Sequence, residues 1–255
     1  MGNYWNERAK KYGHTGWRNP IIYLYDQEVR LKVIQQMVDW HITEYETMLD
    51  YGGGSGDFSL LLLSQFNKIL FYDISETVVD IAKKRIISEK CIFVGDKDAL
   101  MNTTEKMDLI LAITVFQHIK DDEELRRDLA NLKNKLSKNG RMIILEDTFV
   151  NKEYESEYIK YRKIESFEQL LSDVGLKVEK SYGFYQPVTN PVLEYDLYKA
   201  HLLCRISEYL LYYGFERIVS RMLQLCRIHK RYITTVDKYI FEPRKEDSSR
   251  IYICS

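Results

Sequence analysis

The sequence has few cysteines and prolines and almost no net charge. Its four cysteines are scattered without a C-x-x-C pair, which argues against a zinc site and against a disulfide framework. Lys and Arg number 37 against 38 Asp and Glu, so no overall field attracts nucleic acid or an acidic membrane. No apolar run could span a bilayer, and the polar N-terminus has no signal-peptide core. We therefore expect a cytoplasmic protein without metal, nucleic-acid partner or stable membrane insertion.

Apolar runs alternate with amphipathic segments from Thr47 onward, a pattern typical of α/β proteins. It predicts a mostly parallel sheet with helices on both faces. Residues 147–165 are expected to form a polar loop with a short helix, followed by a helix capped by Ser166 and ended by Gly175. Strands are expected at 47–51, 68–73, 91–96, 108–113, 141–146, 176–185 and 249–254, and helices at 20–40, 57–66, 76–88, 121–136 and 166–174.

The first predicted strand ends in an acid that is followed by a glycine turn. Asp50 precedes Gly52, Gly54 and Gly56, and a leucine-rich helix comes next. Glycine is needed where the backbone takes positive φ or where a ligand presses against it. A dinucleotide turn would place its third glycine at position 57, which is Asp57, and a carboxylate there would face the pyrophosphate. The turn therefore favours a ligand without phosphate.

Two further predicted strands also end in acids, Asp73 and Asp96. Ligands of such sheets bind at the carboxyl ends of the strands, so Asp73 could accept hydrogen bonds from both hydroxyls of a ribose. The alternative is that Asp73 only caps the helix that begins near Glu76.

The order Asp-x-Gly-x-Gly-x-Gly resembles motif I of the class I S-adenosylmethionine-dependent methyltransferases, whose cofactor carries an amine and a sulfonium. Trp5, Arg8, Ala9 and Tyr12 also match the W-x-x-R-A-x-x-Y opening of many small-molecule methyltransferases. The resemblance covers residues 45–185 by motif order. It implies a Rossmann-like, seven-stranded, mostly parallel sheet with an antiparallel last strand.

The resemblance also implies which residues bind S-adenosyl-L-methionine. An acid at Asp96, or its competitor Asp98, would accept the adenine amino group, and Lys97 would offer a backbone N–H. Ile74 would pack on the adenine, while Ile113 and Thr114 would lie near the methionine part. The predicted cofactor-binding residues are Tyr12, Trp17, Asp50, Gly52, Gly54, Asp73, Ile74, Asp96, Lys97 and Ile113.

Two histidines are candidates for a general base. His118 follows the fourth strand in a V-x-x-H-I string that many relatives share, and His14 lies on the N-terminal arm. An imidazole could take a proton from a hydroxyl acceptor. The alternative for His118 is a packing role in which it orients the loop.

The chain is expected to divide into four parts. Residues 1–44 form a lid and helix, 45–190 the cofactor-binding core, 191–240 a helical cap or dimerisation insertion, and 241–255 the last strand of the core. Arm and insertion are expected to close the active site together, with a homodimer surface as the alternative. Tyr12, Trp17, Tyr25 and basic residues near Arg217 would then face the acceptor.

The expected reaction is methyl transfer to an oxygen of a small phosphorylated, nucleotide-linked or sugar acceptor. Basic residues on the arm and at 217–231 favour an acceptor with phosphate, although such runs are often solvated helix faces. The arm also resembles methyltransferases of bacterial capsule clusters, including those that make O-methyl phosphoramidate. The alternatives are a non-catalytic S-adenosylmethionine-binding regulator, an N-methyltransferase of a small amine, and a dehydrogenase.

Overall fold

The computed structural model describes residues 2–17, 20–148, 153–184, 240–241 and 249–255, together with positions 210, 215 and 218. Most of the predicted helical insertion, including Arg217, therefore lies outside the described residues, as do Arg18 and the side chain of Tyr25.

Ten strands and seven α-helices make up the described part of the chain. A 3₁₀ turn at Phe116–His118 follows the fourth strand. The strands are β1 (Thr47–Tyr51), β2 (Lys68–Tyr72), β3 (Cys91–Phe93), β4 (Met107–Ile113), β5 (Leu136–Asp147), β6 (Tyr154–Glu155), β7 (Lys160–Tyr161), β8 (Val178–Phe184), β9 (Ile240–Phe241) and β10 (Ser249–Cys254). The helices are α1 (Gly2–Tyr12), α2 (Pro20–His41), α3 (Asp57–Leu62), α4 (Glu76–Arg85), α5 (Lys97–Asn102), α6 (Asp122–Lys135) and α7 (Ile164–Asp173).

Eight of the strands form one sheet in the order β3-β2-β1-β4-β5-β10-β8-β9. β1 pairs in parallel with β2 and β4, and β4 with β5, whereas β10 is antiparallel to both β5 and β8. The predicted mostly parallel sheet with an antiparallel last strand is confirmed. β9 adds an edge strand that the sequence did not predict, because two residues are too few to show an alternating pattern.

The central strands bury both of their faces. Along β4, Leu109 and Leu111 pack on the side of α2 and α3, while Ile110 packs on the side of α6 and α7. Side chains alternate across a strand, so a strand covered by helices on both faces has an unbroken apolar run. None of the described helices is long and apolar enough to cross a membrane.

Two expectations about local structure were wrong. The stretch before α7 was predicted as a loop with a short helix, but it contains the antiparallel pair β6 and β7. Strands of two residues give no periodic signal. α7 begins at Ile164 with Lys163 at its N-cap, so Ser166 lies inside the first turn instead of capping it. Gly175 ends this helix region as predicted, with φ of +74°.

Asp108 joins three strands at the amino end of the sheet. Its Oδ2 accepts hydrogen bonds from the backbone N–H groups of Glu46 (2.9 Å) and Thr47 (3.1 Å). Its Oδ1 accepts one from Ser137 Oγ at 2.7 Å, and the residue is buried. A single carboxylate therefore fixes the starts of β1, β4 and β5 relative to one another.

Asp108→Ala should lower the free energy of unfolding by roughly 2–4 kcal/mol, because two backbone donors and one hydroxyl lose a charged acceptor. Chemical denaturation would measure this loss. The matched control is Asp80→Ala on the exposed surface of α4, which should change stability little. Equal stability of the two variants would contradict a joining role for Asp108.

Candidate functional site

The glycine turn between β1 and α3 is hydrogen-bonded to the end of β2. The N–H groups of Gly52 and Gly53 both donate to the carbonyl oxygen of Tyr72, at 2.8 and 3.0 Å. Gly52, Gly54 and Gly56 have φ of +76°, +55° and +81°. These values favour glycine at each of the three positions. The alternate glycines in the sequence therefore have a direct backbone reason.

Gly53 is a further glycine that the turn requires, for a different reason. A methyl group added there would lie 2.3 Å from Cε2 of Phe71 and 2.9 Å from Cγ of Asp50. The constraint at this position is close packing, because Gly53 is not one of the glycines with a positive φ. The sequence analysis did not single it out, because its reason is a contact with β2 that only the fold brings about.

Asp50 lies beneath the turn and is only 2% exposed. Its Oδ2 accepts a hydrogen bond of 2.6 Å from Ser59 Oγ on α3. Burial raises the pKa of Asp50 to about 7, and the hydrogen bonds from Ser59 oppose this rise. Asp50 thus ties the turn to the helix behind it, and its charge could reach a ligand only across the turn.

Asp73 lies beside the turn, immediately after β2. Its Oδ2 accepts from Gly54 N at 3.0 Å, and its Oδ1 accepts from Ser75 N at 2.8 Å. Burial raises the pKa of Asp73, and these two N–H groups oppose the rise. Each carboxylate oxygen can accept more than one hydrogen bond. The predicted ribose-binding position is therefore geometrically compatible with the contacts that Asp73 already makes.

The predicted adenine-binding residues follow β2 and β3. Ile74 is 53% exposed, which suits a surface against which a flat ring can pack. Asp96 is the N-cap of α5 and accepts from Ala99 N at 2.7 Å. The side chain of Lys97 turns toward α6 and forms an ion pair of 2.5 Å with Asp128. Only the backbone N–H of Lys97 could serve the predicted role.

Helix α1 crosses the carboxyl edge of the sheet. At one point Asn6 Oδ1 accepts hydrogen bonds from Ser75 Oγ (2.7 Å) and Thr77 N (3.2 Å) at the start of α4. At another, the Trp5 ring meets His118 edge-on, with centroids 4.6 Å apart. The helix therefore bridges the ends of β2 and β4. The arm is not frayed, since two tryptophans and a polar anchor hold it to the core.

The residues after α1 lie over the glycine turn. Arg8 Nε donates to the carbonyl oxygens of Thr15 (2.9 Å) and Gly16 (3.1 Å), and its guanidinium lies 5.6 Å from the Tyr12 ring centroid. Thr15 Oγ1 would be 3.5 Å from a methyl group placed on Gly54. Arg8 thus folds the arm back toward the turn and places a cation near it.

His14 stacks on Tyr23 of α2 with ring centroids 3.5 Å apart. Burial, with a smaller effect of Arg8, lowers the pKa of His14 to about 4, so the ring is neutral at pH 7. Its Nδ1 is buried without a hydrogen-bond partner among the described residues. Tyr23 in turn donates to Asp57 Oδ2 at 3.2 Å, which connects the arm to the start of α3.

His118 holds the loop between β6 and β7. Its Nδ1 lies 2.9 Å from the carbonyl oxygen of Tyr158, so Nδ1 carries the proton and Nε2 is the acceptor nitrogen. Gln117 Nε2 lies 3.4 Å from that Nε2. Burial lowers the pKa of His118. These contacts agree with the packing role that the sequence analysis left open beside the catalytic one.

The residue after β4 has a strained backbone, and a buried acid on β5 accepts hydrogen bonds from the residues that follow it. Thr114 has φ of +54°, the only positive value of a non-glycine residue among those described. Glu146, at the end of β5, accepts hydrogen bonds from the N–H groups of Val115 (2.9 Å), Phe116 (2.7 Å) and Gln117 (3.1 Å). Strain of this kind clusters at functional sites. The role of Glu146 was missed, although an acid at a strand end was the available signal.

Trp17 is held by a hydrogen bond to α2. Its Nε1 donates to Asp26 Oδ2 at 2.9 Å, and Arg30 Nε donates to the same oxygen at 2.8 Å. The guanidinium of Arg30 lies 5.9 Å from the Phe184 ring centroid. Trp17 therefore contacts α2, while Thr15, two residues earlier, lies near Gly54. In the described ranges no three His, Cys, Asp or Glu residues are placed to hold a metal ion.

Gly53→Ala should destabilise the protein by about 1–3 kcal/mol and weaken ligand binding, because the added methyl cannot fit against the ring of Phe71. Gly95→Ala is the matched control, since a methyl group there has no atom within 4 Å. Thermal unfolding of both variants measures the difference. A Gly53 variant as stable as the Gly95 variant would show that the turn is looser than its contacts indicate.

Comparison with known proteins gives one family match. The family described as "Methyltransferase domain" matches residues 25–181, more than half of the 255-residue chain. An uncharacterized methyltransferase of Bacillus cytotoxicus is 26% identical over 132 residues, which cover 51% of this chain and 60% of that relative. The chain thus matches less than two thirds of this relative's length.

Solved structures show the same fold at low sequence identity. An S-adenosylmethionine-dependent methyltransferase from Clostridium acetobutylicum has a TM-score of 0.57 at 13% identity, with 91% of each chain covered. Magnesium protoporphyrin IX methyltransferase from Synechocystis, with bound S-adenosylmethionine, has a TM-score of 0.53 at 19% identity, covering 72% of this chain and 88% of that one. By its family match and its sheet, this chain belongs to the methyltransferase-domain family.

Proposed function

We propose that the protein transfers a methyl group from S-adenosylmethionine to a small acceptor. The observation that carries this proposal is the turn from Gly52 to Gly56, which is hydrogen-bonded to β2, flanked by Asp73 and overlaid by the residues that follow α1. The turn exposes backbone at a helix N-terminus, and the acid beside it suits a ligand with hydroxyls and positive charge. The family match supports the same activity.

We propose a role for residues of the chain at each part of the cofactor. Asp73 would accept from the ribose hydroxyls, and the exposed Ile74 would pack on the adenine. Asp96 and the N–H of Lys97 would contact the adenine edge, as the sequence analysis expected. Gly52, Gly54, Ile113 and Tyr12 would surround the methionine end, where Arg8, whose guanidinium lies near the Tyr12 ring, would be a cation for a carboxylate. Asp50 would act indirectly, by holding the turn.

S-adenosylmethionine, when bound, supplies an electrophilic methyl group on a sulfonium. The protein's part is to hold the reacting atoms in line, which can account for about 7–11 kcal/mol of the barrier. α1 would contribute by excluding water from the carboxyl edge, because Asn6 and Trp5 fix it across the ends of β2 and β4. The site therefore needs no dedicated oxyanion donors.

We propose oxygen as the atom that is methylated, with a small amine as the alternative acceptor. The phosphorylated or nucleotide-linked acceptor, and with it a role in capsule or O-methyl phosphoramidate synthesis, depends on basic residues at 217–231 that lie outside the described residues. Within the described part, the arm's Lys10 is exposed on α1 and pairs with Glu7. A sugar hydroxyl is the acceptor that best suits the described residues. A homodimer formed through 191–240 and a cytoplasmic location remain predictions.

Production of S-adenosylhomocysteine tests the proposal against its alternatives. Purified protein, S-adenosylmethionine and pooled small metabolites should yield S-adenosylhomocysteine. Calorimetric titration with S-adenosylmethionine and NAD in parallel separates a methyltransferase from a dehydrogenase. Tight binding without turnover in any pool would instead indicate a non-catalytic regulator, and preferential binding of NAD would contradict the proposal.

Asp73→Ala should weaken S-adenosylhomocysteine binding by roughly 10–100-fold or more, because hydrogen bonds to a charged acceptor are worth about 1.5–3 kcal/mol each. Calorimetry gives the affinity. Asp80→Ala, exposed on the adjacent helix, should bind as the wild type does. Unchanged affinity in Asp73→Ala would show that this carboxylate serves only its contacts with Gly54 and Ser75.

The geometry favours a packing role for His118 over the catalytic role that the sequence analysis expected for it and for His14. His118→Asn leaves an amide that can still donate to the Tyr158 carbonyl but removes the basic Nε2. We expect turnover to stay within a few-fold of the wild type and stability to fall more in His118→Ala than in His118→Asn. A loss of about 10²–10⁴-fold in kcat for His118→Asn would instead identify the imidazole as the base.

A further inference from the structure

Three neighbouring strands meet in one row on the α2 face of the sheet, where β5 and β8 end and β10 begins. Asp147 on β5 is paired with Ser249 on β10, and Ser249 is paired with Phe184 on β8. One step further down this face the same strands present Leu145 and Ile251, which are buried in the apolar core. On β5 and β10 the face therefore changes from apolar to polar at the carboxyl edge, where the glycine turn also lies, while Phe184 on β8 stays in the apolar core.

Helix α2 makes the same change at the same level. Val33 packs in the apolar core, while Arg30 and Asp26, one and two turns earlier, form an ion pair with only 6% and 3% of each residue exposed. Charges are costly to bury unless they are paired or used. α2 and the sheet face that it covers thus both carry charged side chains beside the end of β5.

Asp147 is the group in this cluster whose carboxylate can accept further hydrogen bonds. Among the described residues only Ser249 donates a hydrogen bond to it, from Oγ to Oδ1 at 2.5 Å. The charged and titratable groups that interact with it are Arg30 and Asp26 from α2, Tyr161 from β7, and Glu146, which precedes it on β5. The hydroxyl of the next residue, Thr148, is buried and has no hydrogen-bond partner in the described part of the chain.

The other candidate bases are held in place by contacts of their own, although His118 keeps Nε2 as an acceptor nitrogen. Glu146 already accepts three backbone N–H groups. His118 donates Nδ1–H to a backbone carbonyl, and His14 is stacked against Tyr23. Asp147 is partly exposed and is the last residue of β5. β5 lies next to β4, and the strained Thr114 follows β4 directly.

Resting on the proposed function, we propose that Asp147 is a catalytic residue that contacts the acceptor hydroxyl, and that the acceptor is an uncharged hydroxyl compound. The hydroxyl proton passes to the Asp147 carboxylate as the oxygen bonds to the methyl carbon. The carbon–sulfur bond breaks, and its electron pair stays on sulfur, which becomes a neutral thioether. No other reactant is required.

The charge of the cluster selects against anions. Among the described residues of this cluster, the acids Asp26 and Asp147 outnumber the base Arg30, and Arg30 is paired with Asp26. A phosphate or carboxylate placed beside Asp147 would meet like charge in a partly buried setting, where such interactions are strong. A neutral hydroxyl can donate to Asp147 without this cost.

A fractionated extract tests the acceptor class. Small molecules from cells of the producing organism would be separated on an anion exchanger into retained and unretained fractions, and each would be incubated with the protein and methyl-labelled S-adenosylmethionine. Label in the unretained fraction is the expected result. Label only in the retained, anionic fraction would overturn the inference while the methyltransferase proposal stands, whereas no label in either fraction would overturn both.

Asp147→Asn tests the residue itself in the active fraction. It should lower kcat by about 10²–10⁴-fold and leave S-adenosylhomocysteine affinity within about twofold, with Asp80→Asn as the matched control. Burial raises the pKa of Asp147, so wild-type turnover should fall on acidification already above the usual carboxyl range, and this acid limb should vanish in Asp147→Asn. Retained kcat, or an unchanged acid limb, would overturn the assignment. Circular dichroism and calorimetry separate either result from misfolding.

Discussion

The site depends on two hydrogen bonds from consecutive glycine N–H groups to one carbonyl oxygen. Gly52 and Gly53 both donate to Tyr72 O, so the turn after β1 is attached to the end of β2. Ring packing of Phe71 against Gly53 and the buried bond from Ser59 to Asp50 prevent the turn from lifting. A ligand that contacts this backbone meets groups already fixed by the sheet, so little order has to be gained on binding.

The same attachment places the N-terminal arm. Asp73 accepts from Gly54 and Ser75, and the Ser75 hydroxyl donates to Asn6 of α1. From α1, Tyr4 stacks on Tyr158 with centroids 4.3 Å apart. The glycine turn, the arm and the β6–β7 loop thus form one continuous set of contacts across the carboxyl edge.

The positions of the core strands along the chain and the glycine turn could be predicted because each depends on local chemistry. β1 and β10 match the expected bounds, since buried strands are unbroken apolar runs and the glycines follow directly from backbone φ. Other features depend on contacts between distant segments. The burial of Asp50 under its own turn, the pairing of Trp17 with Asp26 and the two-residue strands β6, β7 and β9 have no signature in the sequence alone.

The last two residues of β5 show how strand alternation divides labour between neighbouring acids. Glu146 points to the α6 side and uses its carboxylate on the backbone of the turn that follows β4. Asp147 points to the α2 side, where one hydroxyl and one ion pair surround it. Because successive side chains point to opposite faces, adjacent acids meet unrelated surroundings. One is committed to holding Thr114 and its neighbours in a strained path, and this leaves the other available for chemistry. A sequence that ends a central strand in two acids can therefore support the turn and serve the reaction from a single element.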